Sequence, residues 1–285
     1  MITLIIDSSY LCYSSMYSIR DLSSKDQQTG VLFGFLNTIL SLSKRFKTND
    51  FVFCFDSKRS VRKRIYPDYK ENRKDYEPEI QRLIEVMRPQ RELLQKEILP
   101  SIGFSNILMQ SGYEADDIIA HLVIGFREDF VVVSRDSDLY QLLDYCRIYD
   151  IPTKTFLTKD SFKLTRGLTP KQWIQIKAIA GCPSDNIKGI DGFGEITARK
   201  YILGFMKETD KKYQRIFQHE NMEKIQLNLR LVSLPMEGSL PIEEIRANCF
   251  DVDRFIDICQ KYNFRSFLNE KLDQWKKLLN GEENE

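Results

Sequence analysis

"ITLIID" (residues 2–7) is a short run of apolar, β-branched residues that closes on an aspartate. The pattern returns as "FVFCFD" (51–56), closing on Asp56, and as "FVVVSRDSD" (130–138), closing on Asp136 and Asp138. Apolar runs of this length, without polar alternation, suit strands buried on both faces of a parallel sheet. Helix-like stretches lie between them at 31–46, about 79–98 and 114–126, and "NILM" (106–109) predicts one further strand. The alternation predicts an α/β fold: a central, mostly parallel sheet with helices on both faces.

In open parallel sheets, ligands bind beyond the carboxyl ends of the strands. Asp7, Asp56, Asp136 and Asp138 all fall at that edge. "SGYEADDIIAHL" (111–122) adds Glu114, Asp116 and Asp117 where a helix starts after the 106–109 strand. Taken alone, these three acids fit either the positive end of a helix dipole or metal ligation. Taken with the acidic strand ends, they crowd one edge with carboxylates that coexist only beside cations. The edge is therefore expected to hold metal ions.

Composition narrows the chemistry. The chain has 285 residues, 42% hydrophobic and 29% charged, enough for one large domain or one domain with a smaller appendage. Its six cysteines form no CxxC, which predicts reduced thiols and neither a disulfide framework nor a zinc site. Only His121 and His219 are present, which argues against a Ser-His-Asp triad or a histidine-rich metal site. His121, one turn after Asp117, reads as structural. A metal would be held by oxygen, pointing to Mg²⁺ or Mn²⁺. Met1–Ser9 lacks a basic leader segment and no apolar run approaches the roughly 20 residues of a membrane span. A cytoplasmic protein (host cytoplasm, for a viral source) with no membrane partner is expected.

The net charge of +1 hides an uneven distribution: residues 57–76 hold eight Lys/Arg against three Asp/Glu. Within "YPDYKENR", Lys70 and Arg73 are three apart, so a helix would put both on one face, while Tyr66 and Tyr69 interleave and could stack on bases. The stretch reads as a contact for an anionic partner or as a solvated basic loop. After about residue 160 the pattern turns helical. "TPKQWIQIKAIAG" (169–181) has Thr169 as N-cap, Pro170 in the first turn and Gly181 as terminator. Gly189, Gly192 and Gly194 then form a tight turn that reads as a helix–hairpin–helix (about 183–205), a phosphate cradle, or as an ordinary helix connection. From 222 to 279 the pattern is amphipathic and helical with no evident chemistry, and the chain ends in "GEENE". Division near residue 160 is expected: an α/β core (1–160) and a helical part (161–285).

Six motifs stand in a telling order: Asp7, "FD" (55–56), "YKENR" (69–73), "YEADD" (113–117), "SRDSDLYQL" (134–142) and "SDNIKGIDGFG" (184–194). In this order the chain resembles the 5′-nuclease (flap endonuclease) superfamily over residues 1–205. It is most similar to stand-alone phage 5′ nucleases and the 5′-nuclease domain of bacterial DNA polymerases. The resemblance implies cleavage near 5′ ends of branched or duplex DNA and of RNA–DNA hybrids with two Mg²⁺ (or Mn²⁺), in replication or repair beside replication proteins, by a monomer. A first metal cluster would comprise Asp7, Asp56, Glu114 and Asp116, with Asp117 adjacent. A second would comprise Asp136, Asp138 and Asp185. Residues 58–98 would form a helical arch. Lys70 and Arg73 would meet the scissile phosphate, and with Asp136 they make up the catalytic set. Lys58, Arg59, Arg62, Lys63, Arg64 and Tyr69 would contact DNA from the arch. Lys188, Gly189, Gly192, Gly194 and Lys200 would hold the duplex at the hairpin, where family members often bind K⁺.

The chain departs from the family pattern in three places. Ser8 and Ser57 replace glycines. "GCPSDN" puts Cys182 where the family's first Asp of Gly-Asp-x-Ser-Asp-Asn belongs, which predicts a weaker second metal site. A PIN-type ribonuclease is the nearest alternative, but such domains are shorter and lack the hairpin. A branched-DNA-binding protein without activity is the other, and Cys182 alone favours it.

Overall fold

The structure, a computed structural model, describes residues 2–19, 22–24, 27–126 and 128–280. The acidic tail lies outside the described residues. The central sheet has six strands in the order Ile107–Leu108, Phe51–Cys54, Thr3–Asp7, Phe130–Val133, Arg147–Asp150 and Thr155–Leu157. The first five are parallel and Thr155–Leu157 is antiparallel. Strand order therefore reverses between Thr3–Asp7 and Phe130–Val133, and that reversal is where open α/β sheets open a crevice at the strands' carboxyl ends.

Strand side chains alternate between two cores. Leu4, Ile6, Phe51, Phe53, Val131 and Val133 enter one. Ile5, Val52, Cys54, Phe130, Val132 and Ile148 enter the other. Fully burying each large apolar side chain stabilises by about 1.5–3 kcal/mol. A one-residue slip would exchange the two sets, so packing on both faces enforces the register. The Gly30–Phe46 and Pro78–Leu93 helices cover the first face, and Ala115–Gly125 and Pro170–Ala180 the second. None of the helices among the described residues is long and apolar enough to cross a membrane.

The C-terminal region differs from the helical pattern expected over 222–279. A helix covers His219–Val232, and helices resume at Val252–Lys261, Arg265–Leu268 and Leu272–Asn280. Between them, Pro235, Gly238 and Pro241 interrupt any helix. Residues 233–251 instead run along the sheet's short edge strand. Arg246 N donates to Asn106 Oδ1 at 2.8 Å, and Asn106 Nδ2 donates to Arg246 O at 2.7 Å. Cys249 N donates to Gly103 O at 2.9 Å. Gly103 is required there: at φ 101°, a Cβ would lie 1.9 Å from the Cys249 carbonyl oxygen. The segment thereby covers an edge that would otherwise be open to another chain. Beyond it, the last helices return to the first core, with Phe255 on Trp275 (4.4 Å between ring centroids) and Phe33 stacked on Phe267 (4.6 Å). The division at residue 160 is thus crossed by helices that close the α/β core.

Residues 58–98 are pinned at both feet, with Tyr69 and Met87 also buried between them. The Gln90 side chain accepts from Val31 N (3.0 Å) and Leu32 N (3.3 Å), capping the Gly30–Phe46 helix. Arg62 is the other anchor, and Arg73–Glu79 are exposed.

Candidate metal centre

The first carboxylate group assembles at the strand-order reversal. Asp7 ends the first strand; its Oδ1 accepts from Tyr10 N (3.0 Å) and its Oδ2 from Ser134 Oγ (2.8 Å), across the reversal. Asp56 follows the Phe51–Cys54 strand and accepts from Ala115 N at 2.8 Å, docking the Ala115–Gly125 helix start against the neighbouring strand end. That contact brings in Glu114 and Asp116. Asp136, expected in the second cluster with Asp138 and Asp185, follows Phe130–Val133, accepts from Asp138 N at 2.8 Å and stands instead beside Asp7 and Asp116.

Electrostatics follow from this crowding. Burial, then the charge of Asp56, pushes Asp7 up to about 7. Burial drives Asp116 well above the carboxylate range, reinforced by Asp136, Asp7, Glu114 and Asp56. Asp136 lies at the exposed rim of the group and is also raised, by desolvation at this crowded edge, against the pull of Lys177 and Lys70. No hydrogen-bond donor among the described residues reaches the Asp116 carboxylate. The edge is short of positive charge, and its donors are hard carboxylate oxygens. That donor set fits a divalent ion of the Mg²⁺ or Mn²⁺ type.

Lys70 enters from the arch segment. It adopts the left-handed conformation (φ 56°), and its backbone N donates to Asp185 O at 2.9 Å. That turn aims its Nζ at Glu114 Oε1 (2.7 Å) and Asp185 Oδ1 (3.6 Å). Burial opposes its charge, but Glu114 and Asp185 hold Lys70 above the usual lysine range. Arg73 Nη2 lies 3.2 Å from Asp185 Oδ1. A second group lies beside the first: Asp138, Cys182 and Asp185 offer ligand atoms within 4.8 Å of one another. Cys182 Sγ is 3.1 Å from Ser184 Oγ, and Lys177 forms an ion pair with Asp138.

Several residues singled out from the sequence sit elsewhere than expected. Asp117 was expected beside the metal ligands, yet it is 0% exposed and its oxygens are already taken. Arg62 grips it bidentately at 2.6 and 2.8 Å, while Glu114 N (3.0 Å) and Met236 N (2.9 Å) donate to it. Arg62, expected on DNA, is 3% exposed and also donates to Leu231 O, because a guanidinium fork satisfies a buried carboxylate fully. Tyr69, expected to stack on bases, is buried; its hydroxyl lies 2.9 Å from Glu114 and 3.2 Å from Asp185 and shares one proton between the two carboxylates. Gly189, expected at the phosphate cradle, packs on a helix end: a Cβ would meet the Ala180 backbone at 2.2 Å.

The remaining candidates face outward. Lys58 pairs with Glu92 at 2.8 Å on the surface, Lys63 pairs with Glu71, and Arg59 and Arg64 are exposed. Lys188, Gly192, Gly194 and Lys200 are exposed at the hairpin, with Gly192 at φ 78°. The hairpin's first helix is Pro170–Ala180, earlier than the 183 boundary, because a two-stranded ribbon (Gly181–Cys182 with Ile187–Lys188) intervenes before Glu195–Ile202. His121 contacts Ser239 Oγ at 2.8 Å, away from the carboxylates. Two participants were missed. Ser134 orients Asp7. Lys177 carried a readable signal: it falls on the buried face of its helix with Trp173 and Ile176, where an unpaired lysine is not stable.

The domain family described as "5′-3′ exonuclease, N-terminal resolvase-like domain" matches residues 2–167. A 5′-3′ exonuclease of Aquifex aeolicus is 30% identical over 280 residues, covering 93% of both chains. A thermostable DNA polymerase I of Thermus thermophilus is 28% identical across 94% of this chain, which spans only 33% of the polymerase. Among solved structures, T5 5′-exonuclease with bound zinc superposes with a TM-score of 0.67 at 21% identity, covering 99% of this chain and 100% of that one. Since the family's domain matches more than half of its length and a relative at 30% identity is covered almost throughout, the chain belongs to the 5′-3′ exonuclease family.

Proposed function

We propose that the chain is a divalent-metal-dependent 5′ nuclease that hydrolyses phosphodiesters near 5′ ends of DNA, 5′ flaps included. One observation carries this reading: carboxylates from adjoining strand ends, Asp7 buried and Asp56 and Asp116 half-buried, converge at the sheet's reversal with an ammonium, Lys70, held among them. Asp7, Asp56, Glu114, Asp116 and Asp136 would hold one ion, and Asp138 and Asp185 with Cys182 a second. When bound, Mg²⁺, for which Mn²⁺ substitutes, lowers the pKa of a water and neutralises charge on phosphate oxygens.

The chain's own groups do the rest. Lys70 neutralises charge developing at the scissile phosphate, and Arg73 holds a non-bridging oxygen. Tyr69 fixes the orientation of Glu114 and Asp185. Lys58, Arg59, Lys63 and Arg64 steer the strand at the rim of the site. Gly192 and Gly194 let the hairpin backbone approach duplex phosphates beside Lys188 and Lys200, and this hairpin would also hold K⁺. RNA–DNA hybrids are a further substrate, and the setting is cytoplasmic (or host-cytoplasmic) replication or repair, by a monomer working beside replication proteins.

The test is cleavage of a 5′-labelled flap, a blunt duplex and an RNA–DNA hybrid in Mg²⁺ and in EDTA. Short labelled products in Mg²⁺ alone support the reading. Tight binding without cleavage in either Mg²⁺ or Mn²⁺ would replace it with a DNA-binding role.

A further inference from the structure

We infer that Lys177 is a built-in counter-cation of the second carboxylate group, so that the DNA-free protein binds one divalent ion tightly and acquires the second only with DNA. This deepens the proposed function and rests on it.

The two groups differ in charge balance. In the second, two carboxylates meet protein cations: Asp138 pairs with Lys177, and Asp185 has Arg73 at 3.2 Å and Lys70 at 3.6 Å. Cys182 supplies a thiol in place of another carboxylate. In the first, among the described residues, Asp7 accepts from Tyr10 N and Ser134 Oγ alone, and Asp56 from Ala115 N alone. The acceptor oxygen of Asp136 takes Asp138 N, so these three carboxylates meet neutral donors, and Glu114 is the one member of the group that pairs with cations among the described residues, Lys70 at 2.7 Å and Arg62 at 3.7 Å.

Lys177 is not a surface lysine that can swing into water. It is 9% exposed, its Nζ donates to Ser137 Oγ at 2.9 Å, and the ammonium stands 5.5 Å from the Trp173 ring centroid. A divalent ion entering the second group must share Asp138 with this fixed positive charge and lacks a carboxylate at position 182. A DNA phosphate brings further negative charge to the edge and restores the balance. Lys177 is therefore a positioning residue acting through Asp138, and it sets the order in which ions and substrate assemble.

The experiment counts Mn²⁺ bound to the DNA-free protein by electron paramagnetic resonance, with circular dichroism as a check of folding. Wild type is expected to bind one tight ion. Lys177→Met should tighten a second by roughly tenfold or more, because a fixed buried charge is removed. Lys177→Arg, which keeps the charge, should stay at one. If Lys177→Met does not fold, Lys177→Gln, uncharged but polar, decides the matter by the same count, rising from one ion to two. Two tight ions in wild type, or an unchanged count in a folded Lys177→Met or Lys177→Gln protein, overturns this inference and leaves the nuclease reading intact. Absence of any tight ion in wild type would overturn the nuclease reading itself.

Discussion

At the start of the Ala115–Gly125 helix, two consecutive carboxylates face different surroundings. Asp117 turns inward to the Arg62 guanidinium and two backbone N–H groups. Asp116 turns toward Asp7, Asp56 and Asp136 and receives no donor from the described residues. Consecutive helix positions point about 100° apart, so neighbours in sequence need not share a face. The basic stretch splits in the same way: Arg62 is consumed by a closed ion pair, and Lys70, eight residues on, is held among groups that a metal or phosphate would compete for. A saturated carboxylate stabilises the fold and has nothing left for a ligand. An unsaturated one destabilises the fold and can bind. That distinction separates structure from chemistry here better than residue type does.

The closed pair should give the largest effect. Arg62→Ala leaves Asp117 buried and unpaired, a loss of about 3–5 kcal/mol. At about 2–4 °C per kcal/mol for chains of this size, the melting temperature should fall by roughly 10 °C or more. A fall of only a degree or two would mean that Arg62 is not structural and would return it to the DNA-binding set. The open pair should behave differently. Lys70→Ala is expected to lower kcat by about a hundredfold while leaving KM and the Mg²⁺-loaded melting temperature near wild type. If KM alone rises, Lys70 only helps to bind DNA.

The hairpin offers the same contrast at smaller scale. Gly189→Ala drives a Cβ into the Ala180 backbone, so a stability loss of about 1–3 kcal/mol is expected on any substrate. At Gly192 the added carbon would meet only an Arg215 side-chain nitrogen at 3.9 Å, although φ is 78°. Gly192→Val should cost about 1–2 kcal/mol of backbone strain and weaken duplex binding more than single-strand binding. Comparable loss on both substrates would make this loop a plain connection.

The sequence made the sheet and its acidic edge legible, because uninterrupted apolar runs ending in Asp encode both the strands and their carboxyl ends. The 79–98 helix and the glycine hairpin were legible from spacing, and the Pro170–Ala180 helix from its caps. What was not legible depends on partners distant in sequence. Arg62 looks like its neighbours Lys63 and Arg64 until Asp117 and Leu231 are brought beside it. Residues 233–251 read as helix by apolar spacing, but their hydrogen bonds go to the 103–106 edge. The Val252–Asn280 helices read as an appendage, since nothing local shows that Trp275 meets Phe255 inside the first core. Lys177 could have been found, as a charge on an apolar helix face.

The most direct test of the central claim is Asp116→Asn, followed by melting in EDTA and by flap cleavage in Mg²⁺. Asp116 is half-buried, crowded by like carboxylates and without a donor among the described residues, which should destabilise the metal-free fold, and Asn removes that penalty with little change of shape. The expected outcome is a melting temperature in EDTA at neutral pH raised by roughly 2–4 °C, the response to about 1 kcal/mol, together with loss of cleavage and retained DNA binding. A protein that melts lower in EDTA, or cleaves near the wild-type rate in Mg²⁺, would contradict the account.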